Sequence, residues 1–205
     1  MATIIVANYE EVKGNIKARL YNAEAEIKAI KRSAEPYGFD GLVIVPVIEY
    51  GEVADDGTFA STKVTSELIE MWGVTEDEVF EVALANLDYT ITTIRDILAE
   101  SLRKNGMPEE LIEMMLPPDN EAMPMWVVTN ATKFYGASSV IPATKELIAK
   151  FPEGYVALPS SVHEVIIVPK ADHDTEDLND IVRQVNSTVL DDKDYLSDDV
   201  YEFTA

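Results

Sequence analysis

The sequence contains no cysteine among its 205 residues. A disulfide framework, a thiolate zinc site and a cysteine nucleophile are therefore excluded, and the composition fits a reducing compartment. Long apolar runs are missing as well: the longest, IIVA near the start and LVIVPVI from Leu42, fall far short of the roughly 20 residues that span a bilayer. The start of the chain lacks the basic and apolar regions of a secretion signal. We therefore expect a cytoplasmic protein that does not bind membranes.

Residues suited to nucleotide, metal or acid–base chemistry are few. The 9 glycines form neither a P-loop nor a dinucleotide fingerprint, and no basic patch is interleaved with aromatic residues. His163 and Glu164 lack the second histidine of a zinc-protease helix, since that position is Ile167. The acidic run at 172–177 lacks the glycine and glutamate of a calcium loop and suits a helix N-terminus better. We expect no cofactor, no metal ion and no direct binding of nucleic acid.

Basic residues are scarce, because 16 lysines and arginines stand against 38 carboxylates and give a formal net charge of −22. The excess is uneven: segment 36–125 carries −15 and segment 171–205 carries −9, whereas 1–35 and 126–170 each carry +1. Such a surface repels phosphate and anionic lipid and attracts a basic partner or a cation. A solvated surface that only keeps the protein soluble has the same composition. Both interpretations stay open at this point.

The N-terminal region predicts one long amphipathic helix. Asn8 and Glu11 have the spacing of a helix cap, and apolar residues then recur at helical spacing as far as Arg32. These apolar residues are Val12, Ile16, Leu20, Ala23, Ile27 and Ile30. Residues 1–40 would form a helical extension, and the helix over 9–32 would offer a surface for a homodimer.

Residues 41–205 predict a single α+β domain. The segment GLVIVPVIEY predicts a strand in which Pro46 indicates an edge position or a bulge. Helices are predicted for TSELIEMW ending at Gly73, from a capping box of Thr75 and Glu78, from about Tyr89 to Asn105, for EELIEMML, from Pro142 to Lys150, and from Thr175 to Ser187. Further strands are predicted for WVVTN, GASSVI, YVAL, HEVIIV and VYEF. The irregular alternation favours a mixed or antiparallel sheet flanked by helices.

A serine–histidine pair is the one candidate for catalysis. Ser160 or Ser161 would be the nucleophile and His163 the base. Two positions apart on a strand, the side chains lie about 6 to 7 Å apart, beyond direct hydrogen-bond reach, and no Gly-x-Ser-x-Gly elbow surrounds them. The alternative is a turn whose hydroxyls bond backbone amides, followed by a partly buried histidine.

The segments TSELIEMWGVTEDEVFEVALAN, WVVTN with YGAS, YVALPSSVHEVIIVP, RQVN and YLSDDVY occur in this order within about residues 42–203. Together they resemble a bacterial family, domain of unknown function 5688, and LPSSVHEVI with the downstream LSDDVY is the most specific part. The resemblance implies a small cytoplasmic α+β protein of anaerobic bacteria or their mobile elements, with no known activity. At the matching positions it suggests a convergent group of residues: Asn130, Gly136, Ser160, Ser161, His163 and Glu164.

Two functions are compatible with these patterns. The first is a non-enzymatic binding protein or inhibitor whose acidic faces engage a basic partner such as a nucleic-acid-binding enzyme, as a nucleic-acid mimic from a phage or mobile element would. The carboxylates expected to face that partner are Glu76, Asp77, Glu78, Glu81, Glu109, Glu110, Glu113, Asp191, Asp192, Asp194, Asp198 and Asp199. The second is a small hydrolase or ligand-binding domain with its site around Ser160, Ser161 and His163.

Overall fold

Two antiparallel sheets flanked by helices make up the fold, which confirms the predicted α+β class. The structure is a computed structural model that describes residues 8–50, 60–116, 125–159, 161–170, 178–180, 182–183, 186 and 194–204. The α-helices are α1 (Tyr9–Val12), α2 (Ser66–Trp72), α3 (Glu76–Ala85), α4 (Ile94–Lys104), α5 (Glu109–Met115) and α6 (Val140–Lys150). The strands are β1 (Ile16–Asn22), β2 (Arg32–Ser33), β3 (Leu42–Tyr50), β4 (Ala60–Lys63), β5 (Thr90–Thr93), β6 (Trp126–Thr129), β7 (Tyr155–Leu158), β8 (Val165–Pro169) and β9 (Tyr201–Phe203). No helix in these ranges is long and apolar enough to cross a membrane.

The first sheet is built around β3, which is the strand expected for GLVIVPVIEY. β3 pairs with β1 on one side and with β2 and β4 on the other. Its successive side chains point to opposite faces, so that Ile44 and Ile48 join the main core while Val43 and Val45 form a smaller cluster on the other face. Burial of both faces explains why this strand is apolar throughout rather than alternating with polar residues.

The edge or bulge position predicted from Pro46 is wrong. β3 is central, and its register with β1 is continuous past the Ala18–Pro46 pair. The Pro46 carbonyl accepts a hydrogen bond from Val64 on the opposite side of β3, where β2 and β4 leave a gap between Ile44 and Val47. Since the amide nitrogen and the carbonyl of one strand residue point to the same side, the missing N–H of proline falls in that gap and costs no ladder bond.

The long N-terminal helix predicted over residues 9–32 is also wrong. α1 begins as expected, with a complete capping box between Asn8 and Glu11, but it ends at Val12. A 3₁₀ turn at Lys13–Asn15 follows, and the chain then enters β1. The helical face proposed for homodimer formation therefore does not exist, and residues 16–22 belong to the first sheet.

The helix was predicted wrongly because the spacing of the apolar residues fits both a helix and a strand. Val12, Ile16 and Leu20 are four residues apart, which satisfies the helical period of 3.6 and equally the strand period of 2. In the strand, Ile16 and Leu20 are joined by Ala18 on the buried face. Gly14 is unfavourable in a helix interior and lies where α1 gives way to the turn.

The second sheet has the strand order β5-β6-β8-β7-β9 and is antiparallel throughout. One face, including Val128 and Val165, joins the main core together with residues of α6 such as Leu147. The other face packs against Leu178 and Val182, which lie among the helical residues 178–180, 182–183 and 186. The second sheet is thus covered on both faces, which agrees with its mostly apolar strands.

Two local predictions need correction. The helix expected from about Tyr89 begins only at Ile94, because Thr90–Thr93 first pairs with β6 as β5. The strand expected for GASSVI is instead a 3₁₀ turn at Ala137–Ser139 leading into α6. The hydroxyls of Ser138 and Ser139 are buried and donate to backbone carbonyls of other elements, contacts that a sequence pattern does not reveal.

The caps of α2 and α3 lie where the sequence predicts them. α2 ends at Gly73, which adopts a left-handed conformation with φ of 68°. Before α3, the Thr75 hydroxyl accepts the Glu78 amide at 3.2 Å, and the Glu78 carboxylate accepts the Thr75 amide at 2.8 Å. α3 then buries Val79, Phe80 and Ala83 and packs against β1. The capping box therefore sets the start of the helix that covers the first sheet.

Thr75→Ala should lower the free energy of unfolding by about 1 kcal/mol, because the amide of the first helical turn loses its acceptor. Thr75→Ser keeps the hydroxyl and should stay within about 0.5 kcal/mol of the wild type. Urea denaturation followed by circular dichroism measures both differences. Equal losses in the two variants would contradict the role of the cap.

Candidate functional site

The carboxylates of α2 and α3 lie in a stretch without lysine or arginine that runs from Val64 to Ile94. Both helices turn apolar residues inward, including Ile69 from α2 and Phe80 from α3. All six carboxylates of the two helices are exposed, namely Glu67, Glu70, Glu76, Asp77, Glu78 and Glu81. We call this set the α2–α3 acidic surface. Asp77 and Glu81 are one helical turn apart, so their charges are neighbours on α3.

Some of these carboxylates have partners within the protein. Asp77 forms an ion pair with Arg32 at 2.7 Å. The hydrogen bonds from Thr75 lower the pKa of Glu78, and the hydroxyl of Thr65 lowers the pKa of Glu67. By contrast, Glu70, Glu76 and Glu81 take part in none of the ion pairs formed between described residues. These three side chains are available to another molecule without loss of a described internal ion pair.

A second acidic group predicted from the sequence lies on α5. Glu109 is held by Arg103 of α4, whose Nε donates to it at 2.8 Å, and this contact lowers the pKa of Glu109. Glu110 and Glu113 are exposed and enter no ion pair between residues that the structure describes. The α5 group therefore divides into one carboxylate that ties the two helices together and two that face solvent.

The tail carboxylates in the described ranges contact the protein itself. Asp194 lies 3.3 Å from the Nε2 atom of His163, and Asp198 accepts a hydrogen bond from Asn186 at 2.8 Å. Asp199 lies 4.0 Å from a guanidinium nitrogen of Arg183. Asp191 and Asp192 lie outside the described residues, as do Ser160 and the calcium-like run 172–177. Within the described ranges, no group of three or more His, Asp or Glu residues is placed to hold a metal ion.

The contacts of His163 show how the two candidate catalytic residues are used. Its Nδ1 accepts the Tyr135 amide at 3.2 Å, which leaves Nε2 to carry the proton toward Asp194. The Ser161 hydroxyl accepts the backbone amide of His163 at 3.0 Å and is buried. Both ring nitrogens are thus engaged, and the serine hydroxyl bonds backbone, as in the alternative interpretation of this turn. Two surface grooves, at Lys150–Gly154 with Pro169 and around Pro36 and Phe203, are lined by other residues.

Four of the six residues singled out by the resemblance do converge. The His163 carbonyl accepts hydrogen bonds from the Gly136 amide at 3.0 Å and from the Thr129 hydroxyl at 2.8 Å. A Cβ atom at Gly136 would lie 2.6 Å from the Asn130 amide nitrogen, so only glycine allows this approach. With Ser161 bonded to His163, the segments around 130, 136 and 162 form one backbone junction beside the second sheet. Glu164 lies next to it in the chain.

Arg19 is a polar residue of this region that the sequence pattern does not identify. It is buried, with 4% of its surface exposed, and its guanidinium lies 3.1 Å from Glu49 and 4.0 Å from the ring centroid of Tyr135. Tyr135 therefore contacts both Arg19 and His163. The helix predicted over 9–32 would place Arg19 on a solvent-exposed face, whereas the side chain is buried in β1.

Asp88 makes a second link between the sheets. Its carboxylate accepts the Ala131 amide at 2.7 Å and lies 3.1 Å from the Lys17 ammonium. Burial alone would raise the pKa of Asp88, but these two partners together hold that pKa below its ordinary value. Lys17 with Asp88, and Arg19 with Glu49, are therefore paired charges that connect the segments around this region.

Nearly the whole chain matches the model of one protein family. A family model described as a family of unknown function, DUF5688, matches residues 2–205. The chain belongs to this family. The match confirms the resemblance and extends it beyond residues 42–203 to the N-terminal segment that contains α1 and β1. No curated protein and no solved structure matches the chain. Membership of DUF5688 therefore assigns no activity.

Gly136→Ala should lower the free energy of unfolding by about 2 to 3 kcal/mol, because the new methyl group meets backbone atoms that cannot move aside. Those atoms are the Asn130 nitrogen at 2.6 Å and the His163 oxygen at 2.8 Å. Gly14→Ala is the matched control, since no atom lies within 4 Å of its added Cβ. Denaturant unfolding of both variants measures the difference, and equal effects would contradict the junction.

Burial raises the pKa of Glu164, although the nearby His163 offsets part of the effect. The folded protein then binds this proton more tightly than the unfolded chain, so stability falls as pH rises from the ordinary value of 4.5 through the raised pKa. Glu164→Gln should therefore stabilise the protein at about pH 7 and lose that advantage by about pH 4. Thermal or urea unfolding at both pH values measures this, and a gain of equal size at each would contradict it.

Proposed function

We propose that this protein is a non-enzymatic binding protein that engages a basic partner through the α2–α3 acidic surface. The observation that carries the proposal is the exposure of six carboxylates on two consecutive helices without a single lysine or arginine in the same stretch. Among the described residues, only Asp77 of this set meets a cation, Arg32. The surface therefore retains most of its negative charge for an external partner.

The physics of exposed charge determines how such a partner would bind. A single exposed ion pair contributes only about 0 to 1 kcal/mol, so affinity has to come from several contacts made together. A field of one sign also speeds the encounter with an oppositely charged protein, and salt weakens that effect. Neighbouring carboxylates without an ion pair, such as Glu67 and Glu70 at i and i+3 on α2, repel each other until a cation approaches. Binding of a basic protein would relieve this repulsion.

We place the function on this surface rather than around His163 for a chemical reason. A serine hydrolase needs a ring nitrogen that can take the proton of the serine hydroxyl. In this protein Nδ1 accepts a backbone amide and Nε2 faces Asp194. In our proposal the partner is a cytoplasmic protein with a basic face, such as a nucleic-acid-binding enzyme whose activity would be inhibited when the acidic surface covers that face.

The proposal is tested by removing charge from the surface without touching an internal contact. The combined substitutions Glu70→Gln, Glu76→Gln and Glu81→Gln should weaken binding of a peptide made of lysine and serine by about fivefold or more at about 50 mM salt. Fluorescence anisotropy of the labelled peptide measures the affinity. The wild-type affinity should also fall steeply as salt is raised, because the attraction is electrostatic.

The control is a variant of equal net charge, with Glu24→Gln, Glu26→Gln and Glu153→Gln at exposed positions outside α2 and α3. This variant should bind the peptide within about twofold of the wild type. Equal weakening in the two variants would show that only net charge matters. That result, or an affinity that does not respond to salt, would rule out a specific acidic surface.

A further inference from the structure

Apolar side chains exposed to solvent are concentrated on the hairpin formed by α4 and α5. The described part of the chain exposes seven large apolar side chains, and four of them lie on these two helices. They are Leu98, Leu111, Met114 and Met115. Scattered single exposures are ordinary on a soluble protein, whereas a group on one supersecondary unit marks an interaction surface.

Three of these side chains share one side of α5. Leu111, Met114 and Met115 stand at positions i, i+3 and i+4, which form a single stripe on a helix. Their exposed fractions are 43%, 78% and 60%. Ile112, the residue after Leu111, is buried and marks the side of α5 that faces the protein.

The stripe is not required to build the core. The buried residues of the hairpin are Ala99 and Ile112, and neither belongs to the main core or to the two smaller clusters. The hairpin is held instead by its own contacts, such as that between Arg103 and Glu109, and by the ion pair of Glu100 with Lys133 at 3.2 Å. Its apolar stripe is therefore exposed and lies outside these three clusters of the described residues.

The charged residues around the stripe indicate which charge a partner at this surface would carry. Glu110 lies one turn before Met114 on the same helix, and Glu113 precedes Met114 directly. Both carboxylates are exposed. Arg103 of α4 is bonded to Glu109, and Lys104 is paired with Glu100. An apolar centre with a negative rim matches a helix with apolar residues on one face and lysine or arginine beside it.

We propose that the stripe of Leu111, Met114 and Met115 binds a basic amphipathic helix of a partner protein. Methionine side chains suit this role because they are flexible and polarisable and adapt to different apolar surfaces. A second copy of this chain is a poorer occupant, because it would bring Glu110 and Glu113 against their own equivalents. The inference rests on the proposed function for the positive charge of the partner, but it concerns a different surface and a different kind of contact.

The test uses a fluorescent peptide of about 18 residues, five helical turns, with leucine on one face and lysine on the other. Met114→Gln in the full chain should weaken its binding by about fivefold or more, because a thioether that the bound peptide would cover is replaced by a polar amide. Met71→Gln is the matched control: Met71 is an exposed methionine of α2, 64% exposed, and its replacement should change the affinity by less than about twofold. Both positions are exposed, so neither variant should impair folding.

The outcomes separate this inference from the proposed function. Loss of binding in Met114→Gln but not in Met71→Gln supports the stripe, even if the lysine–serine peptide does not bind and the α2–α3 proposal fails. Binding of the lysine–serine peptide with no effect of Met114→Gln on the leucine–lysine peptide overturns the stripe and leaves the α2–α3 proposal standing. The inference is also overturned if the wild type does not bind the leucine–lysine peptide, or if sedimentation shows a dimer that Met114→Gln dissociates.

Discussion

The antiparallel pairing of β1 with β3 is the constraint on which the rest of the structure depends. It turns Ile16, Ala18 and Leu20 toward the core, where α3 covers them. The same alternation sends Lys17 and Arg19 to the opposite face, where they meet carboxylates of other segments. A shift of one residue in this register would exchange the two sets and bury charge in the apolar core. Register and charge placement are therefore fixed together.

The two sheets share no strand, and contacts to the edge of β1 that does not pair with β3 help to join them. An unpaired strand edge invites pairing with another chain unless side chains or other elements cover it. Here Asn86 donates to the Ile16 carbonyl at 2.9 Å, and Ser138 donates to the Ala18 carbonyl at 2.7 Å. Ser138 belongs to the turn that follows Gly136, so the backbone junction at His163 also positions the group that covers the edge of the first sheet.

Structural features that depend on neighbouring residues could be predicted from the sequence, and features that depend on residues far apart in sequence could not. The Thr75–Glu78 capping box and the helix end at Gly73 are local, and both lie where expected. The strand at β1 was missed because its apolar spacing of four fits two periods, and only pairing with β3 decides between them. For the candidate site, the exposure of the acids on α3 could be predicted because they are the polar residues of a helix that buries apolar residues such as Val79 and Phe80, whereas the contact of Asp194 with His163 depends on residues far apart in sequence.

Negative charge on α3 has a role in the fold and, in our proposal, a role in binding, and the two roles belong to different residues. Carboxylates in the first turn of a helix are stabilised by its dipole, which favours Glu76, Asp77 and Glu78 at that end. Glu78 is committed to the cap, while Glu81 lies a turn further along, where the dipole helps less. Because Glu81 is exposed and lacks an ion pair within the described ranges, in our proposal its charge is available to a basic partner. The apolar stripe on α5 acts only at contact distance, so charge would govern the encounter and the methionines the lifetime of the bound state.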